Sequence, residues 1–467
     1  MQSIFNSSTQ PSVSRRAVLA LGAGALSAAV LQPTQAAASQ NSFLEAVRNH
    51  AIPLTGESSD FDAISHLTQK ASFVLIGEAS HGTHEFYAIR AAITRRLIEE
   101  RGFNAVLVEA DWPDAYTVNR FVQTHGNEIT AEHALSVFDK FPQWMWGNND
   151  VRDFANWLRE HNASAETPTG FYGMDLYSLF RSRDAVLTYL EEVDPAEAAR
   201  ARERYAPLFE VGDDPQMYGY LVATRRLAPV ADAVREQFEQ VKRIAGIHRT
   251  SADRAVSDAA FDAEQNARLM MDAEEYYRLL YDRRVNTWNL RDRHMADTLD
   301  ALAERLRERD GYARIVVWAH NSHLGDARAT ESAYRGEWNI GQLVRERHPG
   351  ESFHIGFTTH TGTVMASSQW GQPGVVKQVR PSLEGSYERV FHDTGIGSFL
   401  LPLQDERFRS PMLQRAIGVQ YLPETERQSH YFEARLGEQF DAVIHIDESR
   451  AVEPIAVPEV VSQREAA

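Results

Sequence analysis

FVLIGEASHGTHEFYAIRAAITRRLIEERGFNAVLVEAD, residues 73–111, reads as strand, sharp turn, helix, strand. Residues 73–76 are a short apolar run that stops at Gly77. Between His84 and Arg101 the apolar residues Phe86, Ile89, Ile93 and Leu97 recur at helical spacing, and Gly102 ends the pattern. Residues 105–108 are a second apolar run, which stops at Glu109. Two apolar strands joined by an amphipathic helix make a βαβ unit, so the strands are expected to be parallel and buried on both faces. Ligands of such sheets gather beyond the carboxyl ends of the strands. Here those ends carry Glu78, His81 and Glu109.

Working outward, residues 171–175 (FYGMD) read as a third strand ending on Asp175, and residues 314–320 (RIVVWAH) as a fourth ending on His320, with His323 just beyond. Residues 353–357 and 442–446 are further strands. Residues 181–310 are helical in pattern throughout and read as an insertion that builds a wall or lid over the sheet edge. Short helices at residues 43–48 and near 61–67 are expected to cover an edge, and the tail from Pro454 to be extended or loose. The fold class is α/β: a central mixed, largely parallel sheet flanked by helices.

A net charge of −17 argues against nucleic acid as a partner, because phosphate binding needs a surplus of Lys and Arg. With no cysteine, disulfides, thiol catalysis and thiolate metal sites are excluded. Ser14-Arg15-Arg16 precedes an apolar run over residues 17–31, followed by small-residue cleavage sites at Thr34-Gln35-Ala36 and Ala36-Ala37-Ala38. Residues 1–38 therefore read as a twin-arginine-type export signal ahead of a catalytic domain at 39–467. The apolar run is short for a bilayer span, so a periplasmic or secreted protein with no stable membrane anchor after signal removal is expected.

Four strands ending on ionisable residues place acid–base groups along one sheet edge, where burying charge without purpose is costly. His81 lies near the amino end of the long helix, whose dipole disfavours imidazolium, so it is a candidate general base; a buried, satisfied histidine is the bland alternative. Arg90 flanks the apolar stripe and either stabilises an oxyanion or snorkels. Trp144 and Trp146, in the aromatic stretch at residues 138–150, either line a cleft for a bulky ligand or plug the core. His320 and His323, with His81, His84 and Glu85, would be the candidates for a metal, but no H-E-x-x-H occurs. Ser80 does not sit in G-x-S-x-G, and neither G-x-G-x-x-G nor a P-loop occurs.

At GEASHGTHEFYAIR (77–90), VLVEAD (106–111), RDRHMADTL (291–299) and VVWAHNSH (316–323) the chain resembles the erythromycin esterase family, over roughly residues 65–450. The family more often has Thr where this chain has Ser80. The resemblance implies an α/β core whose helical region forms one wall of a deep active-site cleft. It implies water activated by His81 without metal or cofactor, with Glu78 and Glu109 orienting base and water and Arg90 and His320 supporting them. It places Arg291 and Arg293 toward the cleft, with His323, Trp144 and Trp146 as further substrate-binding candidates. The expected substrate is a small-molecule ester or macrolactone, a macrolide such as erythromycin foremost. Two alternatives stay open: a metal-dependent hydrolase using His81, His320 and a carboxylate, and a non-catalytic periplasmic polysaccharide-associated binding protein.

Overall fold

The computed structural model describes residues 32–123 and 129–455. In chain order the strands are β1 (Ile52–Pro53), β2 (Phe73–Ile76), β3 (Ala105–Asp111), β4 (Gly170–Asp175), β5 (Ile315–Trp318), β6 (Ser352–Ala366), β7 (Val375–Val379), β8 (Phe399–Pro402), β9 (Met412–Arg415), β10 (Tyr431–Ala434) and β11 (Ala442–Ser449). Nine form one mixed sheet in the order β1-β8-β11-β6-β2-β5-β3-β4, with β7 paired to β6. From β11 to β4 every pairing is parallel. β1, β7 and β8 pair antiparallel at the margins.

β2 and β3 are parallel, as the βαβ reading requires, but they are not neighbours. β5 lies between them, with Val317 in register with Leu75 on one side and Leu107 on the other. The edge therefore runs Glu78, His320, Glu109, Asp175 across β2, β5, β3 and β4.

Both faces of these strands are apolar, and each needs its own cover. Val74, Ile76, Val106, Val108, Val316 and Trp318 pack on the layer containing helices His84–Arg101, Trp112–Val122 and Asn149–Asn162. The alternate residues Phe73, Leu75, Ala105, Leu107, Ile315 and Val317 share a core with the helices between Leu179 and Asp310. The helical insertion thus covers one face of β2, β5, β3 and β4 instead of the sheet edge, while Phe399, Leu401 and Val443 of β8 and β11 pack in a separate cluster with Phe43 and Phe391.

β6 runs well past residues 353–357 (FHIGF), which mark it in sequence. Its second half, THTGTVMA, is polar up to Thr363 and apolar over its last three residues, pairs with β7 and ends beside the turn after β2. Phe43, Ala46 and Val47, on the helix Gln32–His50, pack with Tyr387, Phe391 and Phe408. The export-signal reading falls mainly on residues 1–31, outside the described residues. Among the described residues no helix is long and apolar enough to cross a membrane. The tail is bound at its start: Pro454 bridges to Asn148, and Ile455 N–H donates to Gly147 O at 3.0 Å.

Leu107, fully buried between sheet and insertion, is expected to cost about 3 kcal/mol when truncated to alanine. Urea unfolding followed by far-ultraviolet circular dichroism and by tryptophan fluorescence is expected to give one coincident transition, shifted to lower urea.

Candidate active site at the carboxyl edge of the sheet

The turn after β2 is held from several directions. Glu78 O accepts from Asn321 N at 2.8 Å and Ala79 O from Ile417 N at 2.8 Å. His81 O accepts from the Tyr87 hydroxyl at 2.6 Å. Gly82 O accepts from both Met365 N and Val452 N, each at 3.0 Å. The two glycines of the motif are packing requirements: a Cβ on Gly77 would lie 2.1 Å from Asn321 Oδ1, and one on Gly82 would lie 1.9 Å from Met365 O. The Ser80 hydroxyl is engaged with Thr83 Oγ1.

His81 Nδ1 is 2.8 Å from Glu78 Oε1, and Glu78 Oε2 accepts from Arg90 Nη2 at 2.7 Å. Glu78 and Arg90 are fully buried, whereas the His81 side chain keeps 9 % of its surface exposed. A carboxylate on Nδ1 assigns the ring proton there and leaves Nε2 as the acceptor. Nε2 makes no hydrogen bond among the described residues. The Arg90 guanidinium lies over the rings of Tyr87 and Trp318, at 4.3 and 5.2 Å. It sits behind Glu78 and acts on the histidine only through that carboxylate. The oxyanion role considered for it is therefore not supported by its position.

Glu109 is the hub of the second half of the cluster. Oε2 accepts from the backbone N–H of His320 at 2.8 Å, and Oε1 meets Arg291 Nη2 at 2.8 Å and His323 Nε2 at 3.3 Å. Burial works to raise this carboxyl, but His323 and Arg291 outweigh it and hold it well below the usual range. It is a fully engaged anion that meets no nitrogen of His81 and organises its neighbours. Arg291 also grips Asp175, through Nε at 2.9 Å and Nη2 at 2.5 Å.

His323 Nδ1 lies 2.9 Å from Asp292 Oδ1, and the ring stacks on Trp288 at 4.4 Å and 9°. Burial opposes the charge, yet Asp292 and Glu109 raise this imidazole to about 9. His323 is thus a cation, and its 2.9 Å approach to Arg291 Nη1 is one of like charges offset by Glu109, Asp175 and Asp292. His320 behaves oppositely. Its burial, aided by His81, pushes it down to about 3, so it is neutral. Ser322 N donates to His320 Nδ1 at 3.2 Å, which places the ring proton on Nε2; that atom has no hydrogen-bond partner among the described residues. The two rings, His81 and His320, are 4.9 Å apart.

The structure thus brings Glu78, His81, Glu109, Arg291, His320 and His323 to one edge, with Arg90 directly behind. Arg293 does not join them. Two residues along a helix turn the side chain by about 200°, and Arg293 pairs instead with Glu275 at 2.9 Å on the outer face. Trp144 and Trp146 are core residues: both are buried, and Trp146 Nε1 supports the edge by donating to Glu109 O at 3.0 Å. His84 and Glu85 pair outward with Asp150 and Arg450. Sequence reasoning missed Asp292, Trp288, Ser322 and Tyr87; Asp292 had a signal, its place beside Arg291 in RDRHMADTL.

The cluster is enclosed, with the Arg291 and Glu109 side chains 13 % and 4 % exposed. Two cavities of about 590 Å³ lie elsewhere, beside Phe121 and Arg159 and beside Arg249 and Arg305. Neither carries the acid–base groups. Among the described residues no group of three or more His, Asp or Glu is arranged to hold a metal ion.

A parallel-sheet fold with an acid–base cluster at its carboxyl edge is the class that these features define. The family model described as erythromycin esterase matches residues 98–449, and the chain belongs to that family. It is similar to a putative hydrolase, YbfO, of Bacillus subtilis, at 20% identity over 86% of this chain and 90% of that protein. It is similar to erythromycin esterase type II of Escherichia coli, at 20% identity over 85% of this chain and 94% of that one. Its fold is similar to that of a mutant of erythromycin esterase EreC in an open conformation, with TM-score 0.63, 19% identity, and 86% and 96% of the two chains covered.

His323 binds its proton more tightly folded, at about 9, than at its ordinary value of 6.5. The stabilisation it supplies is complete below the ordinary value and is lost as pH rises through the folded one. Urea unfolding at about pH 6, 8 and 10 is expected to show the wild type losing stability more steeply than His323→Gln across that interval. Parallel curves would show that His323 is not a buried cation.

Proposed function

We propose that the protein hydrolyses a carboxylic ester or lactone with water activated by His81. The observation that carries this reading is the oriented imidazole: Nδ1 is fixed by Glu78 at 2.8 Å, and Nε2 is left without a partner among the described residues. Water gives its proton to Nε2 as its oxygen attacks the carbonyl carbon. The carbonyl π bond breaks, and its electrons go to the oxygen, forming a tetrahedral oxyanion. The His320 Nε2–H, on the ring 4.9 Å from that of His81, is the proposed donor to this oxyanion. When the C–O bond to the alkoxide breaks, the His81 imidazolium returns its proton to the leaving oxygen. The products are an acid and an alcohol.

The substrate is proposed as a macrolactone, erythromycin or a relative, on the strength of the family and of the similar esterase from Escherichia coli. Export through a twin-arginine-type signal is proposed from Arg15-Arg16 and the apolar run that follows. It would bring the enzyme to the antibiotic before the antibiotic reaches a ribosome.

Mass spectrometry of macrolides incubated with purified protein is expected to show the gain of one water. His81→Ala is expected to lower kcat about 100- to 10 000-fold with its melting temperature retained. Dialysis against EDTA is expected to leave the wild-type rate unchanged. Loss on EDTA and recovery with Mn, Zn or Co would favour a metal-dependent reaction; no turnover of any macrolide or simple ester would sink the esterase reading.

A further inference from the structure

We propose that the segment at residues 450–455 is a positioning element for His81, acting through the Val452 backbone N–H. The inference rests on His81 being the base. Most of the catalytic turn is held by residues up to Ile417, but Gly82 O, one residue from His81, also takes a donor from Val452 at 3.0 Å. Met365 N shares that oxygen at 3.0 Å. The two donors arrive together because β6 and β11 are parallel partners up to Gly362 and Ser449, and Met365 and Val452 each lie three residues beyond that pair.

The segment is tied down along its length. Arg450 O accepts from His84 N at 2.8 Å, and Arg450 N donates to Glu85 Oε2 at 2.8 Å. Ala451 bridges to Thr83 and donates to Thr363 Oγ1 at 3.0 Å. Val452 is buried. Beyond it, Glu453 O accepts from Asn149 N at 3.0 Å and Ile455 N donates to Gly147 O at 3.0 Å. Gly147 directly follows the short helix Gln143–Trp146, from which Trp146 donates to Glu109 O. The strap therefore links the half of the site that holds His81 to the half built on Glu109. It touches no reacting atom. It fixes how the imidazole is presented, and misplacement by about 1 Å can cost about a hundredfold in rate.

Val452→Pro removes the N–H, and the extended Ala451 before it suits a following proline. Val452→Ala trims the side chain and keeps the N–H. The proline variant is expected to show kcat about tenfold or more below the alanine variant, with KM little changed. Its His81 titration, followed by NMR of histidine-labelled protein, is expected to move from that of the alanine variant. Equal kcat and equal titrations in the two variants would overturn the proposal. So would kcat losses that simply follow melting temperature. A third variant, Glu85→Ala, releases the partly exposed Arg450 anchor. It is expected to quicken hydrogen exchange at 450–455 and to lower kcat in step; faster exchange with kcat and the titration unchanged would count against the strap even if the proline variant does not fold. The titration needs no substrate, so an absence of ester turnover would fall on the proposed function and leave the strap testable.

Discussion

A carboxylate that is 5 % exposed stays ionised only if donors reach it from several sides, and Glu109 draws them from three parts of the chain. The backbone of His320 comes from the strand beside it, Arg291 from the helical insertion, and His323 from the turn beyond His320. Remove any of them and an under-compensated charge is left in the interior. Gathering all of them brings five charged groups (Glu109, Asp175, Asp292, Arg291 and His323) into alternating contact. The insertion is therefore bound to the sheet by apolar packing across the face and by this ionic knot at the edge.

The pairing of Glu78 with Arg90 is the matching device on the other side. It directs the remaining Glu78 oxygen at one imidazole nitrogen, and it buries the arginine against Tyr87 and Trp318, where the aromatic faces meet part of its charge. One histidine is thus presented with a free lone pair, a second is kept neutral with an unclaimed N–H, and a third is held cationic. Asp292 and Glu109 hold His323 cationic against burial, whereas at His320 burial outweighs Glu109 and the ring stays neutral.

The strands that carry Glu78, Glu109, Asp175 and His320 were legible because each is a short apolar run closed by an ionisable residue. Their order was not. Nothing local to residues 314–320 says that they insert between β2 and β3, because that register is decided by packing over 200 residues away in sequence. Arg291 and Arg293 look equivalent in RDRHMADTL until the helix phase is known. Trp144 and Trp146 read equally as pocket or core, since an aromatic's role depends on what lies across from it. The second half of β6 hid behind its polar residues, which lie beyond the stretch that pairs with β2.

The placement of β5 has a consequence for the order in which the molecule can form. Until Ile315–Trp318 leave the ribosome, β2 and β3 have no common neighbour, and their apolar edges must wait while the insertion is made. Nascent chains in that interval carry open parallel edges, the state in which non-local sheets are most exposed to aggregation. Sheet closure therefore waits for residue 318, and no shorter fragment carries the edge of Glu78, His320 and Glu109 assembled.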